Sequence, residues 1–473
     1  MIKIVELTTR DFLTGESENA YGGRGGIFYE AIGINPIVNP AGRSTDLGLL
    51  QTAAAPVRYS ASVVVDIPIA SAHKATGSYA GKAFFLGNAG HFYQIDLSNN
   101  SISDLRTTTI SNLTNGLEIF KTFAFYTQKT KVGRWNTTSS HPTNWSDSFM
   151  TGLQDYNYHP THQFGDKVWI GDKNRMAKII DSRTLVTGSD ILDFPSDYRV
   201  MDVDDDGLKL VIGITKNLGD VSIGGNTKVI FWDTNSPSWN REWPLPEPNV
   251  VSLNKVGAWN YAITTTGVYR FTYSIPPKKV NSNLTAIYGR SNITDVFYGS
   301  MLICGNRGGS ISVYGSPLPG YPMAHYRIAT GWGAGQGVTV VNAQAKRGIV
   351  YFGTNNSRLY SQSVSVGGDT GRNARTAFIS LPEQFRVQEA KLIMGTKLTS
   401  SDRVEVAVRG DVNNIDTTMG AASFTTHSAV TRISLRKKSV VLEDVQLNIL
   451  FSGGNPKIRK IQLWGEPYRN AES

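Results

Sequence analysis

The sequence predicts an all-β protein, a seven-bladed β-propeller followed by a small C-terminal β-sandwich. Two observations carry this expectation. A short hairpin pattern recurs seven times, its copies 40 to 51 residues apart, and a period of that size marks a repeat architecture in which each unit buries its neighbours' faces. No long stretch has the 3.6-residue periodicity of an amphipathic helix, which leaves strands as the repeating element.

The clearest copy is Ser300 to Tyr314. Met301 to Cys304 is a short apolar run, Gly305 to Gly309 is a turn cluster, and Ile311, Val313 and Tyr314 restart a strand with half-buried alternation. The other copies are Phe85-Leu86-Gly87 with His91 to Asp96, Phe125-Tyr126-Thr127 with Lys131 to Trp135, and Trp169-Ile170-Gly171 with Arg175 to Ile180. They continue with Val211-Ile212-Gly213 and Lys228 to Trp232, Ala262-Ile263-Thr264 and Gly267 to Phe271, and Tyr351-Phe352-Gly353 and Arg358 to Gln362. The apolar runs lack a polar face, as expected of inner strands covered on both sides by neighbouring blades. The small residue that ends each run lets backbones crowd where blades converge.

Composition agrees. Charged residues are 18% of the 473, below the usual ~25%, and glycine is abundant at 47. A net charge of +9 would permit nucleic-acid contact, but the basic residues are spread along the chain and no run interleaves with aromatics, so no specific nucleic-acid binding is expected. Met1 to Asp11 contains acidic residues and no apolar h-region, so a secretion signal is not expected. Nothing approaches the roughly eighteen consecutive apolar residues of a membrane span. The single cysteine, Cys304, leaves no internal disulfide and suits a reducing cytoplasm. Asn-x-Ser/Thr triplets at Asn112, Asn136, Asn144, Asn283, Asn292 and Asn356 then reflect turn composition.

Taken in order, residues 1–60 form a lead-in. Lys3 to Thr8 reads as a strand, followed by the glycine cluster Gly22 to Gly26 and a connector through Pro36, Pro40 and Gly42. An amino-terminal strand can complete a blade built mostly by later residues and so remove an open edge; the alternative is an arm reaching a neighbouring subunit. Residues 61–364 hold the propeller. Its widest interval carries a loop at Asn217 to Asn226 and then Trp232, Trp239 and Trp243 among prolines. These rings, with Trp332, offer either a ligand- or partner-binding shelf or large side chains capping a blade edge under an irregular loop. Residues 365–473 begin with a linker, Val366 to Gly371. Six strands without a repeat follow, at Thr376 to Ser380, Ala390 to Met394, Arg403 to Arg409, Arg432 to Leu435, Val445 to Phe451 and Ile458 to Trp464.

The sharpest chemical motif is Asp202-Val203-Asp204-Asp205-Asp206-Gly207. Carboxylates at 202, 204 and 206 before a glycine turn can wrap Ca²⁺ with hard oxygen ligands, whereas an Asp-Gly pair is also the usual chemistry of a hairpin turn. His159-Pro160-Thr161-His162 has metal-like spacing only on a helix, which Pro160 disfavours. Gly77 to Ala83 is one residue short of a phosphate loop and lacks its closing Ser/Thr, and Gly331 to Gly337 lacks the strand and helix a dinucleotide loop needs. There is no Gly-x-Ser-x-Gly elbow, and Cys304 lies in a core run. No catalytic residue, cofactor-binding residue or cofactor is expected.

The order of parts resembles the propeller-bearing tail proteins of tailed bacteriophages, including hub and nozzle proteins of short-tailed phages. The residues that carry the likeness are the lead-in, with Gly25-Gly26-Ile27-Phe28 and Gly48-Leu49-Leu50-Gln51, the divergent blades, and a terminal sandwich ending in Ile458 to Trp464. The resemblance implies a non-enzymatic, homo-oligomeric virion component assembled in the host cytoplasm and bound to other tail proteins. The alternatives are a glycan- or receptor-binding propeller for host attachment, using Trp239, Trp243 and Trp332, and a polysaccharide hydrolase.

Overall fold

The structure is a computed structural model. It describes residues 1–12, 28–32, 57–58, 72–74, 82–86, 90–96, 98, 101–105, 109–136, 145–188, 191–216, 227–264, 267–281, 301–305, 311–315, 324–329, 338–344, 349–354, 358–363, 372–410, 416–436, 439–453 and 455–468. Among them the helices are two single turns, α1 (Thr9–Phe12) and α2 (Phe424–His427); all other regular structure is strand. Gly22 to Gly26, Asn217 to Asn226, Gly331 to Gly337 with Trp332, and Val366 to Gly371 lie outside the described residues.

Three strands precede the repeats: β1 (Ile2–Thr8), β2 (Phe28–Ile32) and β3 (Val57–Arg58). A first antiparallel sheet then holds β4 (Ala72–Lys74), β5 (Lys82–Leu86), β6 (Phe92–Asp96) and β7 (Ser101–Asp104). The second holds β8 (Leu113–Phe120), β9 (Phe123–Gln128), β10 (Lys131–Trp135) and β11 (Trp145–Thr151). The third holds β12 (Thr161–Phe164), β13 (Lys167–Asp172), β14 (Arg175–Ile180) and β15 (Thr184–Val186). The fourth holds β16 (Tyr198–Asp205), β17 (Leu210–Lys216), β18 (Thr227–Trp232) and β19 (Arg241–Leu245). The fifth holds β20 (Val250–Val256), β21 (Trp259–Thr264), β22 (Val268–Phe271) and β23 (Lys278–Asn281).

Next come β24 (Met301–Gly305), β25 (Ile311–Gly315) and β26 (Ala324–Ala329). After them β27 (Val338–Gln344), β28 (Ile349–Thr354) and β29 (Arg358–Ser363) are completed by β3, with Tyr360 opposite Arg58 and Ser361 opposite Val57. The first described strand of each group lies against that of the next: β4 against β8, then β12, β16, β20, β24 and β27, which returns to β4. The arrangement is all-β and propeller-like.

Side-chain alternation explains why the sheets stack. In β17, Val211 packs with Phe231, Val250 and Phe271 of the fourth and fifth sheets, while its neighbour Ile212 packs with Trp169 and Met176 of the third. In β9, Phe125 joins Val168 and Ile170, and Tyr126 joins Phe84 and Phe92. Successive residues of one strand feed opposite interfaces, so a run with no polar face is what the position requires. Each large apolar side chain buried this way contributes about 1.5–3 kcal/mol. The small residue at the end of the run behaves as its spacing predicts. A Cβ on Gly171 would lie 2.5 Å from Val200 Cγ1, and one on Gly213 would lie 2.9 Å from Val250 Cγ1, each on the following sheet.

The last strands are β30 (Arg372–Thr376), β31 (Ile379–Met394), β32 (Arg403–Arg409), β33 (Thr417–Ser423), β34 (Arg432–Leu435), β35 (Val440–Phe451) and β36 (Ile458–Pro467). Here the structure differs from the six strands read in the sequence. Thr376 to Ser380 and Ala390 to Met394 are not separate partners, because residues 379–394 run as one strand that pairs β35 near its start and β36 and β34 beyond. β33, with small residues and Gly420, has weak strand propensity and is held by pairing with β32. The amino-terminal β1 pairs antiparallel with β36, and β2 lies between β26 and β30, so the carboxy-terminal strands and β24–β26 share one hydrogen-bonded sheet. The core of this region includes Val406, Leu447, Ile449, Leu392 and Leu463 and is continuous with Tyr261 and Tyr314.

Because the space beside Gly171 is filled from the next sheet, Gly171→Ala should cost about 1–3 kcal/mol as overpacking. A lower midpoint in denaturant with an unchanged slope is the expected readout; an unchanged midpoint would show that the sheets are not in contact there.

Candidate functional site

β8, β12, β16 and β20 are each the end strand of their sheet, bonded to a partner on one side only. Their other edges carry backbone groups that need partners. Side chains from the adjacent sheet supply several. Asp202 Oδ2 on β16 accepts the Leu253 N–H of β20 at 2.7 Å, and Asp204 Oδ2 accepts the Lys255 N–H at 3.0 Å. Between the second and third sheets, Glu118 Oε2 accepts the Gln163 N–H at 3.1 Å and Asn115 Oδ1 accepts the His159 N–H at 2.8 Å. A register shift between Val200 and Asp202 sets which β16 side chains face the neighbour.

The third and fourth sheets meet through His162. Its Nε2 lies 2.7 Å from Asp205 Oδ2 and 3.6 Å from Asp204 Oδ1, with the imidazole 19% exposed. Burial pushes the imidazole pKa down, but the hydrogen bond to Asp205 and the negative charges of Asp204 and Glu118 outweigh it, so the net direction is up from 6.5. Asp205 moves the other way: burial raises its carboxyl, and the hydrogen bond and charge of His162 bring it below the usual carboxylate range. The result is a charged pair spanning two sheets.

The predicted calcium triad is distributed differently. Asp202 is buried against β20, Asp204 follows it, and Asp206 turns back into its own hairpin, where Oδ1 accepts the N–H groups of Leu208 and Lys209 at 2.8 and 2.7 Å. Gly207, at φ +93°, makes that turn. The group of possible ligands that converges among the described residues is His162, Asp204 and Asp205. It does not fit Ca²⁺, which takes about 6–8 oxygens: Asp204 and Asp205 already accept backbone N–H groups, and Lys255 Nζ stands 3.9 Å from Asp205. His159 and His162 do not share a site. The buried His159 has its ring nitrogens 3.0 Å from the carbonyls of Gly171 and Lys129, tying three segments together.

Trp239 and Trp243 are packed into the scaffold. Asp233 accepts the N–H groups of Asn235 and Ser236 and the Asn240 amide, which closes the loop that carries Trp239. Those bonds, the one from Asn240 first, hold the Asp233 carboxyl far below the usual carboxylate range. Trp239 lies against Phe194, with ring centres 5.8 Å apart, and Trp243 Nε1 donates to the Thr272 carbonyl at 3.1 Å with Arg241 over its ring. Sequence reasoning missed Glu118, Asp205 and the partners of His162, whose only signal is polar residues at alternate positions of otherwise apolar inner strands. It also missed a cleft of about 480 Å³ on the carboxy-terminal sheet, where Lys391 stacks 3.9 Å over Trp464 beside Arg432 and Gln462.

No family model matches this chain, and no curated protein matches it. Among solved structures it is similar to the Pan2 WD40 domain of Neurospora crassa at 11% identity and TM-score 0.46, covering 66% of this chain and 95% of that one. It is similar to the β-propeller domain of Cps50 (Swd1) from Myceliophteria thermophila at 10% identity and TM-score 0.44, covering 66% and 99%. The computationally designed protein Ika8 follows at 12% identity and TM-score 0.38, covering 67% and 96%.

Removing the Asp202 carboxylate strands the Leu253 N–H in the interior, so Asp202→Ala should cost about 1–3 kcal/mol, while millimolar calcium chloride should leave the melting midpoint of the wild type unchanged. Calcium-dependent stabilisation would restore the metal reading. The raised pKa of His162 means its contribution is complete below the unfolded value of 6.5 and is lost as pH rises through the folded value. The melting difference between wild type and His162→Gln should therefore be largest in mild acid and shrink as pH rises through the folded value above 6.5; a constant difference would contradict the ion pair.

Proposed function

We propose that this chain is a non-enzymatic structural component of a bacteriophage tail, assembled in the host cytoplasm, homo-oligomeric, and acting through interfaces with other tail proteins. Its frame is a seven-bladed propeller over residues 61–364 with a carboxy-terminal sandwich over residues 365–473, and residues 1–60 fasten both. The observation that carries this reading is the circuit of strand contacts from β4 round to β27 and back, closed by β3 on β29. A closed circuit leaves short, protected edges and makes a rigid block. The pairings of β1 with β36 and of β2 with β30 support a lead-in that ties the ring to the sandwich. The strongest concentration of carboxylates, on β16, is engaged in joining sheets, which favours a structural use over a reactive one.

The tail assignment follows the resemblance in the order of parts, from lead-in to ring to terminal sandwich. In such an assembly, specificity lies in surfaces: obligate contacts bury about 2,000–5,000 Å², and symmetric rings repeat one patch on every copy. In a glycan-binding reading Trp239 and Trp243 would be the stacking platforms, and both rings already pack on Phe194 and Arg241.

Mass spectrometry of purified phage particles tests the proposal. The expected result is the protein at a fixed stoichiometry with other tail proteins. Its absence from particles, or depolymerisation of host polysaccharide by the purified chain, would overturn the structural assignment.

A further inference from the structure

A groove of about 700 Å³ opens between the second and third sheets, at the end where β8 turns into β9. Lys121 and Phe123 reach it from the β8–β9 turn, Arg134 from β10, Phe149 from β11, and Asp181, Ser182 and Arg183 from the turn after β14. The Arg134 guanidinium carbon lies 4.3 Å from the Phe123 ring centre and 3.5 Å from that of Phe149, and Nη1 donates to the Ser182 carbonyl at 3.3 Å. A guanidinium has five N–H donors, and its orientation here is fixed by two rings and a carbonyl from the neighbouring sheet.

Among the described residues that line it, the groove carries more positive than negative charge. Among the described lining residues, Lys121, Arg134 and Arg183 stand beside the carboxylate of Asp181, which is 82% exposed and 3.9 Å from Lys121, a separation and exposure at which an ion pair contributes little, and Asp166 nearby also feels Lys121. Burial and then the charge of Arg183 push the Arg134 pKa down. The facing turns are also strained, with Lys121, Asp181 and Ser182 at φ of 56°, 54° and 60°.

We propose that this groove receives an acidic side chain, a glutamate or aspartate on an exposed loop of a partner protein, as the anchor of an interface. The inference rests on the reading that the chain works through protein–protein contacts. The phenylalanine rings hold the Arg134 guanidinium in place while the cations take the carboxylate of such a side chain, and pinned arginines beside aromatic rings are the usual chemistry of interface anchors. Phenylalanine lacks the polar handle with which tryptophan or tyrosine meets sugars. Asp181 at the rim opposes a polyanionic backbone and leaves room for a single carboxylate.

The test is fluorescence anisotropy of a fluorescein-labelled hexaglutamate peptide titrated with the full chain at low salt. Saturable binding is expected, weakening with added salt, and displaced by unlabelled hexaglutamate more readily than by trigalacturonate or inorganic phosphate. Lys121→Glu with Arg183→Glu, both exposed positions, should weaken binding by about tenfold or more. The charge-matched pair Lys397→Glu with Arg432→Glu, on the carboxy-terminal sheet, should weaken it by less than about threefold. Melting curves confirm folding of each variant, and Lys121→Gln with Arg183→Gln replaces the first pair if it does not fold. Absence of saturable binding, equal losses in both pairs, or preference for the sugar acid or phosphate would overturn the proposal. If the protein is absent from particles yet binds the peptide through these residues, the tail assignment fails and the groove stands; the converse outcome removes the groove alone.

Discussion

A strand at the end of a sheet has one edge bonded and one edge bare, and where sheets converge part of that bare edge is buried. The cost of leaving its N–H groups unpaired is about 1–3 kcal/mol each, large against the usual net stability of a domain. In this protein carboxylates and an amide of neighbouring inner strands meet the need: Asp202 and Asp204 serve β20, Glu118 serves Gln163 on β12, and Asn115 serves His159 just before β12. These bonds do more than satisfy donors. They fix the rotation of the second sheet against the third and of the fourth against the fifth, because a side-chain oxygen on a strand reaches only the amide at its own height.

The remaining polar groups of the interior extend the same logic. His162 and Asp205 join the third sheet to the fourth, and His159 holds carbonyls from the second and third sheets. Glycines at 171 and 213 bring the sheets close enough for such short side chains to bridge. Packing and polar pairing are therefore coupled, since a wider gap would break the bonds before it emptied the apolar interfaces.

Much of the fold was legible because its signals are local. Lys131 to Trp135 and Arg175 to Ile180 were read as strands and coincide with β10 and β14, since alternation and flanking turn residues mark their limits. The spacing of Gly171 and Gly213 foretold crowding between sheets. Long-range pairing was not legible. Nothing near Ile2 announces a partner near Gly465, and the small-residue strand β33 exists because β32 lies beside it. The carboxylates at 202 and 204 were visible as a motif, but their meaning was not: the amides they accept lie 51 residues ahead in the chain, and a calcium loop and a cross-sheet bond look alike until the register is known. The basic groove was hidden for the same reason, because Arg134 and Ser182 come together only when two sheets stack.

Native-state hydrogen exchange at the amides of Leu253 and Lys255 bears most directly on the idea that side chains of one sheet seal the edge of the next. Both should exchange slowly in the wild type. Asp202→Ala should speed Leu253 and Asp204→Ala should speed Lys255, each without speeding the other. Rapid exchange at both amides in the unaltered protein, or protection that survives both substitutions, would contradict the account.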